Sequence, residues 1–178
     1  MITIKIKKFL TESNKIERES SQEAHEDAFK AWNYLKKQKE LTPDVILKTH
    51  EILMKRLRPD IAGKWRNCDV MIGGQRKCFI SEALIKEDVL NFCIQLLTSS
   101  SCFEKDKNNE MRKIEITVYS HIDFENLHPF EDGNGRVGRL IYLWHREKLG
   151  LPVHIIHADW EIKGRDGDQW NYYQWFGK

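Results

Sequence analysis

Apolar residues recur at helical spacing along most of the chain. Ala24, Ala28, Trp32 and Leu35 follow Ser20 and Ser21 at intervals that place them on one face, which predicts an amphipathic helix ending in a solvated cluster at Lys36, Lys37 and Lys39. Thr42-Pro43 forms an N-cap and first-turn pair for a second helix through Ile46, His50, Leu53 and Leu57. Ser81 opens a third, with Leu84, Ile85, Val89, Phe92, Cys93 and Leu96 on its apolar face. A fourth carries Ile114, Val118 and Ile122 and runs out near Asn126, where Pro129 stops it by excluding the helical region for the residue before. The last runs from Arg136 through Val137, Leu140, Ile141 and Trp144 to Gly150, with Pro152 just beyond.

Elsewhere the period changes. Ile2, Ile4 and Ile6 alternate with polar residues, so Thr3 to Lys7 reads as a short strand or extended arm. Between Pro59 and Ser81, Val70-Met71-Ile72 and Cys78-Phe79-Ile80 flank Gly73-Gly74-Gln75-Arg76, the pattern of a β-hairpin. An isolated hairpin is marginal, so this one is expected to lie on the helical body. Ser99 to Asn109 reads as a flexible loop, and the aromatic-rich end after Ala158 (Trp160, Trp170, Tyr172, Tyr173, Trp175, Phe176) as a terminal helix docked on the core. No internal repeat, heptad array or domain linker interrupts the 178 residues, which suit one domain.

Composition narrows the function. The 29 Lys+Arg nearly cancel 27 Asp+Glu, which gives no support to broad nucleic-acid binding. No stretch approaches ~18 apolar residues, so no membrane span is expected. Cys68, Cys78, Cys93 and Cys102 lack CxxC spacing and read as buried free thiols. The opening alternation is unlike a signal peptide, so the expected location is the reducing cytoplasm.

The chemistry concentrates in His128-Pro129-Phe130-Glu131-Asp132-Gly133-Asn134-Gly135-Arg136-Val137-Gly138-Arg139. This is a loop feeding a helix N-terminus, where backbone N–H groups lack partners and the macrodipole favours an anion. Gly133 and Gly135 allow close approach of a phosphate. Arg136 and Arg139, three apart, reach from one face of the first turn and match phosphate oxygens in bidentate fashion. Asp132 is a hard oxygen ligand of the kind that holds Mg²⁺ beside a phosphate. His128 can take a proton from an attacking hydroxyl near neutral pH. Base, metal ligand and anion hole together suggest transfer of a phosphorus-containing group.

At all its specified positions (His128, Phe130, Asp132, Gly133, Asn134, Gly135, Arg136, Arg139) this segment resembles the signature of the Fic family. Thr42-Pro43-Asp44, the stretch from Pro59 through Gly63 to Arg66, and His121 also fall where that family has similar residues. The resemblance implies a mainly α fold, a compact bundle of roughly six to eight helices with a hairpin flap. It implies one domain over 1–178, with a Fic core at 41–151 and the flap at 68–80. The implied activity is transfer of AMP from ATP, with Mg²⁺ or Mn²⁺, to a hydroxyl of a target protein docked along the flap. His128 would be the base, Asp132 the metal ligand, Phe130 the core anchor of the loop and Gly133 to Gly135 the anion hole. Arg136 would bind inner phosphates, Arg139 the γ-phosphate, and one of Tyr172 and Tyr173 would touch adenine. Residues 10–19 are similar to the family's inhibitory-helix motif: Ser13 and Glu17 match and share a helical face, while Arg18 stands where Gly or Asn is expected.

Four other readings compete. Phosphoryl transfer of the Doc type ranks lower because Gly135 leaves the inner-phosphate space open. Removal of AMP is a further possibility, with Glu17 orienting water. A metal site of His121, Glu125 and His128 uses helical spacing but has no matched ligand pattern; His121 reads instead as a residue orienting the loop. A catalytically silent binding module has no chemical need for an intact His128 and both arginines.

Overall fold

The side-chain oxygens of Thr3, Ser21, Thr42 and Asn109 each accept the backbone N–H three residues on, at 3.1–3.4 Å. These four caps satisfy orphan donors and fix where four of the helices begin. In the computed structural model, which describes residues 3–72, 75–79, 81–103, 109–158, 172 and 174–176, the elements are α1 (Ile4–Ile16), α2 (Gln22–Leu35), α3 (Pro43–Met54), β1 (Val70–Ile72), β2 (Gln75–Lys77), α4 (Glu82–Phe103), α5 (Glu110–Leu127) and α6 (Asn134–Lys148). The fold is therefore mainly α, six helices among the described residues with one antiparallel hairpin. None of these helices is long and apolar enough to cross a membrane.

Helix α6 is the axis. It packs against α1, α2, α3 and α5, and from Arg136 to Arg146 every residue is buried. Its apolar side, Val137, Leu140, Ile141 and Leu143, joins Trp32, Leu35, Ile46, Leu53 and Phe124 in one core. The remaining faces bury Arg136, Arg139, His145 and Arg146, and such groups are tolerated inside only with partners. His145 finds two: its ring nitrogens lie 3.0 Å from Ser100 Oγ and 2.9 Å from Ser120 Oγ.

Several sequence expectations are corrected. Residues 4–16 are helical, not extended. The alternation at Ile4 and Ile6 was too short a window; Phe9, Leu10, Ser13 and Ile16 complete a helical face that is buried, while Ile4 is 86% exposed. The second strand is Gln75–Lys77, not Cys78–Ile80, with Val70 paired to Lys77 and Ile72 to Gln75. Its polar residues suit a surface strand, and Phe79 lies beyond it, half-buried against the core. Ser99, Ser100 and Ser101 continue α4, because each hydroxyl donates to a carbonyl of the preceding turn at 2.7–3.0 Å. Residues 104–108 of the expected loop lie outside the described residues. Of the cysteines, Cys93 is buried, Cys68 half-buried and Cys78 exposed. Trp160, Trp170 and Tyr173 also lie outside the described residues, whereas Tyr172, Trp175 and Phe176 do pack on the core.

Helix α1 ends in a Schellman motif: Glu19 N–H donates to Asn14 O and Arg18 N–H to Lys15 O, both at 2.9 Å. The motif needs a left-handed residue, and Arg18 supplies it at φ 58°. The Gly or Asn expected at this position therefore has a conformational cause, since the left-handed region costs other residues roughly 1–2 kcal/mol. Arg18→Gly should stabilise the chain by about 1 kcal/mol, read as a rise of roughly 2–4 °C in a thermal melt. An unchanged or lower melting temperature would show that the cap is not strained.

Candidate active site

His128 caps α5 in the left-handed conformation, φ 50°, its N–H donating to Phe124 O at 3.1 Å. Histidine is among the residues enriched there. Its Nδ1 lies 3.0 Å from the Glu125 carbonyl, an acceptor only, so Nδ1 carries the proton and Nε2 keeps its lone pair. Burial holds the imidazole below its ordinary pKa; the Glu125 carbonyl works against this, and Lys77 and Arg66 add to it. The neutral form is the one a base requires.

The loop that follows is pinned from three sides. Phe130 is fully buried, with its ring parallel to His50 (centroids 3.8 Å, 4°) and close to parallel with Trp65 (5.2 Å, 11°). Asn134 grips the same residue, accepting from Phe130 N–H and donating to Phe130 O at 2.9 Å each. His50 accepts from Gly63 N–H through Nδ1 and so donates from Nε2 to Asp132 O, both at 3.1 Å. Gly133, at φ 80°, caps α6 where a side chain would meet Met54 Sδ at 2.8 Å. Glycine is needed there twice, for conformation and for space.

The first intrahelical bond of α6 is Val137 N–H to Gly133 O. The N–H groups of Asn134, Gly135 and Arg136 precede it and have no acceptor within the helix. Asn134 and Gly135 line a cleft of about 1040 Å³, whose wall also includes His128 and Arg139, Glu17 at the C-cap of α1, and Met71 and Lys77 of the flap. Asp132 stands at its rim, exposed, with Oδ1 accepting Gly133 N–H at 2.6 Å. One carboxylate beside a helix N-terminus suits a divalent ion that arrives with phosphates. It does not make a resident site, and among the described residues no three His, Cys, Asp or Glu form a metal-binding group.

The two arginines part company. Arg139 lies on the cleft wall, its side chain 2% exposed. Its Nε donates to Ser13 Oγ (2.9 Å), Nη2 to Ser13 O (3.0 Å) and Glu17 Oε1 (2.6 Å), and Nη1 to Tyr172 OH (3.3 Å). Burial disfavours the Glu17 carboxylate, but Arg139 outweighs it and holds the group below the usual carboxylate range. The same Glu17 oxygen sits 2.3 Å from where a Cβ on Gly135 would be, so it stands beside the first turn of α6. Arg136 instead is buried behind the loop with Nη2 3.1 Å from Met54 Sδ, and its Nε and Nη1 have no hydrogen-bond partner among the described residues. The expectation that both reach the same ligand space is corrected: three residues apart they share a broad face of α6, but the Arg136 side chain turns to Met54 of α3 while Arg139 turns to Ser13 and Glu17.

Other expectations sort as follows. Asn134 spends its side chain on the loop and offers only its backbone N–H to an anion. His121 is buried and meets Tyr172 OH at 2.9 Å rather than the loop. The His121–Glu125–His128 set is undone because α5 ends at Leu127 and the left-handed turn takes His128 off the shared face. Tyr172 places its hydroxyl on Arg139 and His121, and the residue also lines the cleft. Trp65 and Met54 are site supports that no local pattern announced, while Arg66 entered only through the family resemblance and without a role.

Three histidines in this framework are held neutral, chiefly by burial: His50 and His145 near a pKa of about 4 and His121 about 3. Their unfolded pKa lies near ~6.5, so the unfolded chain binds the extra protons as pH falls. Stability should be complete above pH ~6.5 and decline on acidification toward pH ~4, above the range where carboxylate pairs are lost. Urea unfolding at successive pH values should give a slope of more than one proton near pH 5; a flat profile from pH 7 to 5 would refute the buried neutral rings.

Residues 40–145 match the Fic/DOC family. The chain is 23% identical over 117 residues to "Protein adenylyltransferase Fic" of Drosophila grimshawi, covering 66% of this chain and 22% of that one. It thus spans about a fifth of the length of such curated relatives. Among solved structures, a Fic domain-containing signaling protein from Bacteroides thetaiotaomicron superposes with a TM-score of 0.67 at 18% identity, over 94% of this chain and 69% of that one. Fic-1 of C. elegans gives a TM-score of 0.67 at 20% identity, over 88% and 52%. The two superpositions bear out the mainly helical fold described above.

Proposed function

The chain belongs to the Fic/DOC family, and from that premise we propose that it transfers AMP from ATP to a hydroxyl side chain of a target protein and restrains itself through Glu17. The observation that carries this reading is that the Nε2 of His128 and the unbonded N–H groups of the α6 N-terminus face one cleft, with Arg139 on its wall. The target hydroxyl attacks the α-phosphorus of ATP. Its oxygen bonds to phosphorus, the bond to the bridging oxygen of pyrophosphate breaks, and the hydroxyl proton passes to His128 Nε2. The α6 N–H groups stabilise charge growing on the phosphate oxygens. Asp132 would hold a Mg²⁺ or Mn²⁺ ion, which when bound offsets the negative charge of the phosphates. Arg136, a buried cation with two unused nitrogens beside the anion hole, adds positive potential from behind. The target would lie along the exposed edge of the flap, where main-chain pairing leaves a side chain near His128. Phosphoryl transfer of the Doc type fits less well, because Gly135 leaves the inner-phosphate space open.

Labelled ATP should modify protein and labelled CTP, GTP and UTP should do so less. His128→Ala should abolish transfer while ATP affinity stays within a few-fold, and excess EDTA should stop it. Turnover by His128→Ala would reject the assignment of the base.

Self-restraint follows from competition. Glu17 and a γ-phosphate cannot both hold Arg139 Nη2, and the carboxylate has the advantage of being tethered to the same chain. Its oxygen also stands over Gly135, where a phosphate would sit. Every ~1.4 kcal/mol changes such a ratio about tenfold. Glu17→Gly should therefore raise AMP transfer, self-modification included, by at least about tenfold, and Arg139→Ala in that background should remove the gain. Equal rates for wild type and Glu17→Gly would make the ion pair merely structural.

A further inference from the structure

We propose that Arg66 is a positioning residue for the general base: it ties the left-handed backbone of His128 to both feet of the flap, so that a target segment seated on the flap is held in register with the imidazole. The inference rests on the AMP-transfer reading and adds to it the part that joins target docking to catalysis.

Arg66 is 2% exposed, and the hydrogen bonds of its guanidinium go to carbonyls. Nε donates to His128 O at 2.9 Å, Nη1 to Cys68 O at 2.9 Å, and both Nη1 and Nη2 approach Cys78 O at 3.4 Å. Its own N–H donates to Pro129 O at 2.9 Å. Cys68 lies just before β1 and Cys78 just after β2. One rigid fork therefore spans the two ends of the hairpin and the residue that carries the base. A planar guanidinium can serve three carbonyls from fixed directions, which a lysine ammonium on a flexible stem cannot reproduce. A buried cation bonded to carbonyls and, among the described residues, to no carboxylate is a costly arrangement, and here it stands at the joint between flap and loop.

A second flap cation acts on the same segment. Lys77, on β2, donates to Asn126 O. Asn126 and His128 stand at the α5 C-terminus, where unsatisfied carbonyls and the helix dipole favour a protonated imidazole. Arg66 and Lys77 oppose that bias, and Glu17 across the cleft reinforces it. With the flap attached, the two cations add to the burial that holds His128 neutral; with the joint cut, their share of that effect is lost.

The test uses Arg66→Met, which removes fork and charge, Arg66→Lys, which keeps only the charge, and Lys77→Met, which removes only the second cation. The first readout is NMR titration of the His128 imidazole in the full chain without nucleotide. Arg66→Met and Lys77→Met should each raise the midpoint by roughly half a unit, and Arg66→Lys should leave it near wild type. The second is self-modification with labelled ATP in the Glu17→Gly background. Arg66→Met and Arg66→Lys should both lower the saturating rate at least about tenfold, with the half-saturating ATP concentration within twofold. An unchanged rate in either arginine variant, or an effect on ATP concentration alone, overturns the proposal. If Arg66→Met does not fold, Arg66→Lys decides through its rate. If the Glu17→Gly parent transfers no AMP, the reading of the reaction fails, and the imidazole titration still judges the link between flap and base.

Discussion

A guanidinium sealed inside a protein must find acceptors for its N–H groups or cost several kcal/mol. Arg139 finds them at opposite ends of the chain, on Ser13 and Glu17 of α1 and on Tyr172 near the C-terminus. The first helix is thus bound to the axis of the fold by polar contacts as well as by Phe9, Leu10 and Ile16 in the core. Tyr172 in turn reaches His121 on α5, which makes the arginine a node for α1, α5, α6 and the C-terminal segment. The seating of α1 is thus tied to the N-terminal turn of α6, since the carboxylate that completes the node also stands beside Gly135.

The rest of the site is built for rigidity. A parallel stack of His50, Phe130 and Trp65, the two-way grip of Asn134 on Phe130, and the His50 bridge from Gly63 to Asp132 leave the loop little freedom. A helix N-terminus delivered by such a loop is a preorganised field, and preorganisation is what gives electrostatic stabilisation its value. The flap is of another kind: three residues per strand, one pairing partner and a single buried strand residue, Val70. Its two ends are where Arg66 and Lys77 fasten it to the rigid part.

The misread elements share a cause. At residues 4–6 a short alternation competed with a longer helical face, and burial of Phe9 and Leu10 decided in favour of the helix. At Ser99–Ser101 loop-like composition yielded because the hydroxyls found carbonyls one turn back, with Ser100 also receiving His145. At the hairpin, apolar residues 78–80 looked like the strand, but the polar Gln75–Lys77 could pair on an exposed edge.

What the chain order determined by itself is local. Helix starts, the stop at Pro129, the glycine turn and the clustering of His128, Asp132, Gly135 and Arg139 within twelve residues all depend on neighbours a few positions away, so pattern and capping chemistry suffice to read them. Which arginine faces the cleft, which carboxylate meets it and what holds the base were decided only by the folded chain. Glu17 and Arg139 are 122 positions apart and Arg66 and His128 are 62 apart. Such partners are chosen by how helices pack, because a buried charge takes whatever acceptor the packing brings within reach, and no spacing along the chain records that choice.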